Sequence, residues 1–401
     1  MAPSPPSRRR RAAAALPLAL ALALAPAACT STTSAPSAAA PSPGAASTSS
    51  APPRSPPSAG APTTRTPSGV EPVRPGAPEV LATGLEAPWG LAFLPDGSAL
   101  VTERDTARVL RVPVGGGEPV EVARVAEAAP AGEGGLLGLA VGPTYAADRW
   151  VHAYVTTAED NRVVRFRLPD QPGPAATEPV LTGIPKGVIH NGGRLAFGPD
   201  GALYAGTGDT GDTSLARDPD SLGGKVLRMT PVGEPVRGAD SVVLSVGHRN
   251  VQGLAFDDDE RLWATEFGQS TYDEVNQVSE GDDGGWPEVE GPGDGGGRFA
   301  EPAVTWSTSE ASPSGLAVAA GSLWVAALRG ERLWQVPLDG AGGAGTPVAR
   351  LEGEFGRLRA AETAPDGALW LLTSNRDGRG DPEDDDDRVL RLTLDRSPNG
   401  T

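Results

Sequence analysis

From about residue 79 onward the chain alternates short apolar runs with clusters of glycine, proline and aspartate, and the runs repeat one another. Trp89 to Glu103 (WGLAFLPDGSALVTE), Arg194 to Thr207 (RLAFGPDGALYAGT) and Gln252 to Thr265 (QGLAFDDDERLWAT) are three copies of one design. Leu136 to Thr156, Gly315 to Ala326 and Ala360 to Thr373 are weaker copies, which makes six units about 45 to 62 residues apart. Each reads as strand, turn, strand. In the Pro-Asp-Gly turns proline presets φ, aspartate bonds its own backbone and glycine accepts positive φ. Further strands are expected at Arg108 to Val112, Arg162 to Arg167, Lys225 to Met229, Glu274 to Val278, Arg332 to Pro337 and Arg388 to Thr393. Four strands per unit, six units and no helices predict an all-β, six-bladed propeller of antiparallel blades. A two-sheet sandwich would not need six copies of one hairpin.

Composition supports the same picture. Among 401 residues there are 53 glycines and 41 prolines with 38% hydrophobic residues, which suits many short strands and many turns. The formal charge of -17 argues against nucleic acid and anionic membrane surfaces as partners, because both are bound through clustered Lys and Arg. The N-terminal segment reads as an address: Arg8 to Arg11, then the Ala/Leu stretch Ala12 to Ala25, then Pro26-Ala27-Ala28-Cys29. That last group resembles the lipidation site of bacterial lipoproteins, and an ordinary A-x-A cleavage would export the chain equally. The expected organisation is a signal peptide over 1–28, a Ser/Pro/Ala/Thr-rich disordered tether over 29–77, the propeller over 78–396 and a tail over 397–401. Cys29 is the only cysteine, and cleavage before it would move the formal charge to -21 by removing four arginines.

Chemistry is sought outside the repeat. Gly132 to Leu139, His190-Asn-Gly-Gly-Arg194 with Gly208 to Gly211, Gly247 to Gly253, and Glu266 to Glu274 set polar and glycine-rich residues beside repeat strands. His190, next to two glycines at the mouth of a strand, is accessible and of a type that titrates near neutrality. His190 and Asp209 are also compatible with nothing more than turn stabilisation. His152 lies within an alternating strand and reads as packing, while His248 reads as a support for Arg249.

The stretches HNGGRLAFGPDGALYAGTGDTGD, GKVLRM with VGHRNVQGLAF, and GDDGGWPEV, in that order, resemble the glucose/sorbosone dehydrogenase family over about Val80 to Leu394. The resemblance implies oxidation of an aldose sugar or polyol by PQQ with calcium, and transfer of electrons to an external acceptor such as a quinone or cytochrome. It makes His190 the general base and Asp209 the residue that orients it. Arg249 would lie against the quinone oxygens, with Asn250 and Gln252 as neighbouring contacts and Val251 in place of a common proline. The carbonyls of Gly268 and Gln269 would hold calcium, Gln269 standing where proline is frequent, with Asp273 and Glu274 behind them. Thr308, Arg329 in place of a lysine, and the pair Arg357 and Arg359 would meet the cofactor, the pair sharing one strand face. Glu133 replaces a sugar-contacting glutamine. The acidic run Asp377 to Asp387 reads as a solvated loop rather than a second calcium site. Two other functions fit the fold: a non-catalytic extracellular ligand-binding propeller and a calcium-dependent propeller lactonase.

Overall fold

The structure, a computed structural model, describes residues 73–293 and 296–395. The expected signal peptide, Cys29, nearly all of the tether and the tail lie outside the described residues.

Each repeat becomes a four-stranded antiparallel blade, numbered here in chain order. Blade one is Pro88–Phe93, Ala99–Glu103, Arg108–Val112 and Val120–Arg124. Blade two is Leu136–Val141, Trp150–Thr156, Asn161–Arg167 and Glu178–Ile184. Blade three is Leu195–Phe197, Leu203–Gly206, Val226–Met229 and Val243–Ser245. Blade four is Val251–Phe256, Leu262–Glu266, Tyr272–Val278 and Val304–Ser307. Blade five is Pro313–Ala319, Ser322–Ala327, Arg332–Pro337 and Val348–Arg350.

Blade six draws only three strands from the C-terminal repeat, Leu358–Thr363, Leu369–Thr373 and Val389–Leu392. Its outer strand is Glu79–Ala82, paired so that Val80 faces Leu390. The two ends of the domain therefore share one sheet and close the ring, which removes an open edge. Arg74–Pro75 adds a short pairing with Leu394–Asp395.

The expected turns form. Asp96 Oδ1 accepts the Ser98 amide at 3.0 Å, and Asp200 and Asp366 make the same bond at 3.1 and 3.0 Å. The expectation of no helix needs a small correction, since Tyr145–Asp148 forms one helical turn and Thr213–Ala216 a 3-10 turn. Both lie in connections, where the chain must turn without a sheet partner.

Among the described residues the core is six apolar clusters, each centred between two neighbouring blades, with Trp89 of blade one reaching into the cluster of blades two and three. Second strands such as Ala99–Glu103 and Leu369–Thr373 are buried at every position, because each of their faces meets another blade. Fully buried Trp263, Trp324 and Trp370 fill the gaps between blades four and five, five and six, and six and one. Burial of a large side chain stabilises by roughly 1.5–3 kcal/mol, so each interface contributes several kcal/mol before conformational entropy is counted. The repeated Gly-Leu-Ala has its own reason: a Cβ on Gly253 would collide with the carbonyl of Ser314 in the next blade, so the inner strands approach backbone to backbone.

Candidate functional site

The loops that precede the inner strands of blades two to six and those that follow the second strands of blades four to six converge at one end of the central channel. They enclose a cavity of about 390 Å³. Glu133, His190, Arg249, Gly268, Gln269, Asp273, Thr308, Arg329 and Arg357 line it, together with Phe267, Ser312, Leu328 and Arg379.

His190 sits five residues before the inner strand of blade three, with φ at +54°, a conformation that non-glycine residues rarely adopt. Three contacts hold it there: its N–H donates to Glu133 Oε2 at 2.8 Å, its carbonyl accepts the Thr210 amide at 3.2 Å, and Gly208 leaves room where a Cβ would strike that carbonyl. Its Nδ1 meets Asp209 Oδ1 at 2.6 Å, while Asp209 Oδ2 accepts the Trp286 indole N–H at 2.9 Å. Burial alone would raise Asp209, but hydrogen bonds from His190, the Gly211 amide and Trp286 outweigh it and hold the carboxyl below its usual value. An ionised carboxylate can only accept, so Nδ1 is the donor in its bond to Asp209.

Arg249 donates through Nη1 to the carbonyls of Phe267 and Gly268 at 3.0 and 2.7 Å, and its buried Nε has no hydrogen-bond partner among the described residues. Burial pushes this guanidinium below its ordinary value, with Asp209 and Glu266 pulling the other way. Glu266 anchors the turn by accepting the Arg249 amide and bonding His248 Nδ1 at 2.8 Å, so His248 is a support for Arg249 as expected. His152 packs edge-on against Phe197 and bonds the Pro231 carbonyl at 2.9 Å.

A model of glucose and sorbosone dehydrogenases matches residues 85–389, three quarters of the chain. The chain belongs to the glucose/sorbosone dehydrogenase family. Among solved structures, the PQQ-bound aldose sugar dehydrogenase of Streptomyces coelicolor is 54% identical, with a TM-score of 0.76 over 81% of this chain and 99% of that one. Aldose sugar dehydrogenase YliI of Escherichia coli is 29% identical over 75% of this chain and 90% of its own length. Quinoprotein glucose dehydrogenase B of Acinetobacter calcoaceticus is 30% identical over 61% of this chain and 59% of its own.

Not every residue expected at this family's site lines the cavity. Asn250, Gln252 and Arg359 lie beneath it: Asn250 Oδ1 accepts the Gly192 amide at 3.0 Å, and Gln252 Oε1 accepts Arg359 Nη1 at 3.2 Å. Arg357 and Arg359 do share a side, since both reach Asp377 Oδ2, at 2.9 and 3.4 Å, yet only Arg357 opens to the cavity. Asp273 supports the 268 loop by accepting the amides of Gly268 and Ser312 at 2.9 and 2.6 Å, and burial pushes it up to about 6. Glu274 stands further back, accepting the Gly291 amide at 2.7 Å, and is raised by burial and by the charge of Glu266.

The acidic run is exposed over residues 381–385, as a solvated loop should be, but not at every acid. Asp377, Asp386 and Asp387 are buried because they serve Arg357, Arg359, Asn375 and Arg388. Among the described residues no three His, Cys, Asp or Glu side chains gather as a metal site.

Sequence reasoning missed Trp286, Glu290 and Arg379. Trp286 lies in the GDDGGWPEV stretch that carried the resemblance, but nothing local tied it to Asp209. Glu290 Oε1 accepts four consecutive amides, Gln269 to Tyr272, at 2.7 to 3.2 Å and so fixes the loop that lines the cavity at Gly268 and Gln269. Arg379 was hidden among acids, and it bonds Glu133 Oε1 at 2.8 Å.

Proposed function

We propose that this protein oxidises an aldose or related polyol at a C–OH carbon, with PQQ and calcium held in the cavity and electrons passed to an external acceptor. The carrying observation is the 2.6 Å His190 to Asp209 bond on the wall of an arginine-rimmed cavity.

The residues fit the cofactor. A tricarboxylate wants several cations: Arg249, Arg329 and Arg357 offer them, with Thr308 beside Arg329. Arg249 Nε is buried without an acceptor, and among the described residues Arg329 bonds only the Thr308 carbonyl, at 3.5 Å. A hard cation would draw on the carbonyl oxygens of Gly268 and Gln269. When bound, PQQ would supply a two-electron oxidant for the sugar carbon and calcium a Lewis acid beside it.

The chain does the rest. His190 Nε2 takes the hydroxyl proton as the C–H bond breaks, Asp209 stabilises the imidazolium that results, and Arg249 presents a fixed cation where negative charge develops. Gln252 and Arg359 brace the floor from below. Family membership favours this reading over the lactonase and the receptor. Export with a lipid anchor on Cys29 belongs to the same proposal, supported by the arginine and Ala/Leu pattern before it. The test is direct: purified protein given PQQ and calcium should reduce an artificial dye in the presence of aldoses. Dye reduction that needs neither PQQ nor sugar, or lactone hydrolysis by untreated protein, would overturn it.

A further inference from the structure

Glu133 stands on the loop between blades one and two, and Arg379 on the loop between the second and third strands of blade six. Their ion pair at 2.8 Å bridges 246 positions of sequence at the edge of the cavity. The other Glu133 oxygen accepts the backbone N–H of His190. Hydrogen bonds from the His190 amide and Arg379 outweigh burial and hold this carboxyl below its ordinary value, so it is an anion with both oxygens engaged. Arg379 is itself fixed, because its amide donates to Asp377 Oδ1 at 2.9 Å. His190 needs such an anchor, since its φ of +54° is uphill for any residue with a Cβ.

We propose that Glu133 and Arg379 are positioning residues for His190, and that Glu133 acts on turnover through the His190 backbone rather than by holding the sugar. The ion pair draws the Glu133 carboxylate into line with the His190 amide, and the amide bond keeps the imidazole turned to the cavity with Nδ1 on Asp209. A displacement of about 1 Å in a reacting group costs up to ~10²-fold in rate, so the anchor has a kinetic signature of its own. Glutamine at position 133 preserves the acceptor for the amide and loses only the ion pair.

This inference rests on His190 being the base, and the experiment separates the two. With PQQ, calcium, dye and a panel of aldoses, Glu133→Ala should lower kcat about 10- to 100-fold with sugar KM within about twofold. Arg379→Lys should keep kcat within about threefold, and Glu133→Gln and Arg379→Ala, which lose the ion pair but keep an acceptor for the amide, should both fall between. A KM raised for the aldoses at unchanged kcat would make Glu133 a sugar contact and overturn the proposal, as would an unaltered Glu133→Ala enzyme. If His190→Ala stays fully active, the base assignment itself fails. A readout without turnover accompanies these: the chain has three histidines, so 15N-histidine labelling of cofactor-free protein gives few signals. The His190 amide should move most in Glu133→Ala and less in Glu133→Gln, while His152 and His248 do not change. Should Glu133→Ala not fold, Arg379→Ala carries the test, because its half-exposed side chain can be lost without opening the core; an unmoved His190 amide there overturns the proposal.

Discussion

The two ends of the central channel are built from the same six inner strands and differ in almost everything else. At the end where those strands begin, arginines 249, 329, 357 and 379 surround His190. At the end where they finish, Leu91-Ala92-Phe93, Leu139-Ala140-Val141, Leu195-Ala196-Phe197, Leu254-Ala255-Phe256 and Leu316-Ala317-Val318 line a second cavity of about 390 Å³, and Glu362 is its one ionisable residue. Residues inside and at the far end of the strands are held to the repeat by packing between blades. Residues before the strands lie in loops held by side-chain hydrogen bonds rather than by the apolar packing of the repeat, so chemistry is free to collect there.

Substitutions at each end should therefore separate turnover from stability. The largest effect is expected at the base: His190→Ala should lose about 10²- to 10⁴-fold in kcat while binding PQQ normally, measured by dye reduction at saturating cofactor. Next comes Arg357→Ala, which should raise the PQQ concentration for half-reconstitution about tenfold or more, with activity restored at saturation. Equal cofactor affinity in this variant would remove Arg357 from the cofactor's partners.

At the opposite end the expected effect is on stability alone. Burial pushes Glu362 up to about 7 from 4.5, and buried Arg194 only partly offsets that. Because the folded value is above the unfolded one, this group costs nothing below pH 4.5 and its cost grows until about pH 7. Glu362→Gln should raise Tm at pH 8 by about 2 to 5 °C, raise it little at pH 4.5, and leave kcat unchanged. A fall in kcat would mean that the two ends are coupled. The smallest effect is expected from Cys29→Ser, which should release the protein from membranes into the soluble fraction and change neither kcat nor Tm.

The propeller was legible because the hairpin repeat is local: Pro95-Asp96-Gly97 and its copies carry their turn chemistry within a few residues. Ring closure was not, since nothing in Glu79 to Ala82 names Val389 to Leu392 as its partner. At the site, His190, Asp209 and Arg249 could be picked out from glycine-rich motifs. Glu290 directly follows a family motif and Arg379 sits in the acidic run, and their roles arise from bonds to residues 18 to 246 positions away. The run Asp377 to Asp387 was legible only in part for the same reason: residues 381–385 are solvated, while Asp377 is buried against Arg357 and Arg359.

The sequence by itself determined the six-fold hairpin repeat, the all-β class and the motifs that place the chain in its family. Each of these depends on residues close together along the chain, where turn geometry and strand periodicity act. Tertiary structure alone decided which arginines open to the cavity and which lie under it, that both Glu133 oxygens are engaged, and that blade six is completed by the first strand. Those outcomes depend on which loops meet when the ring closes, and loop encounters are set by packing between blades rather than by any local preference.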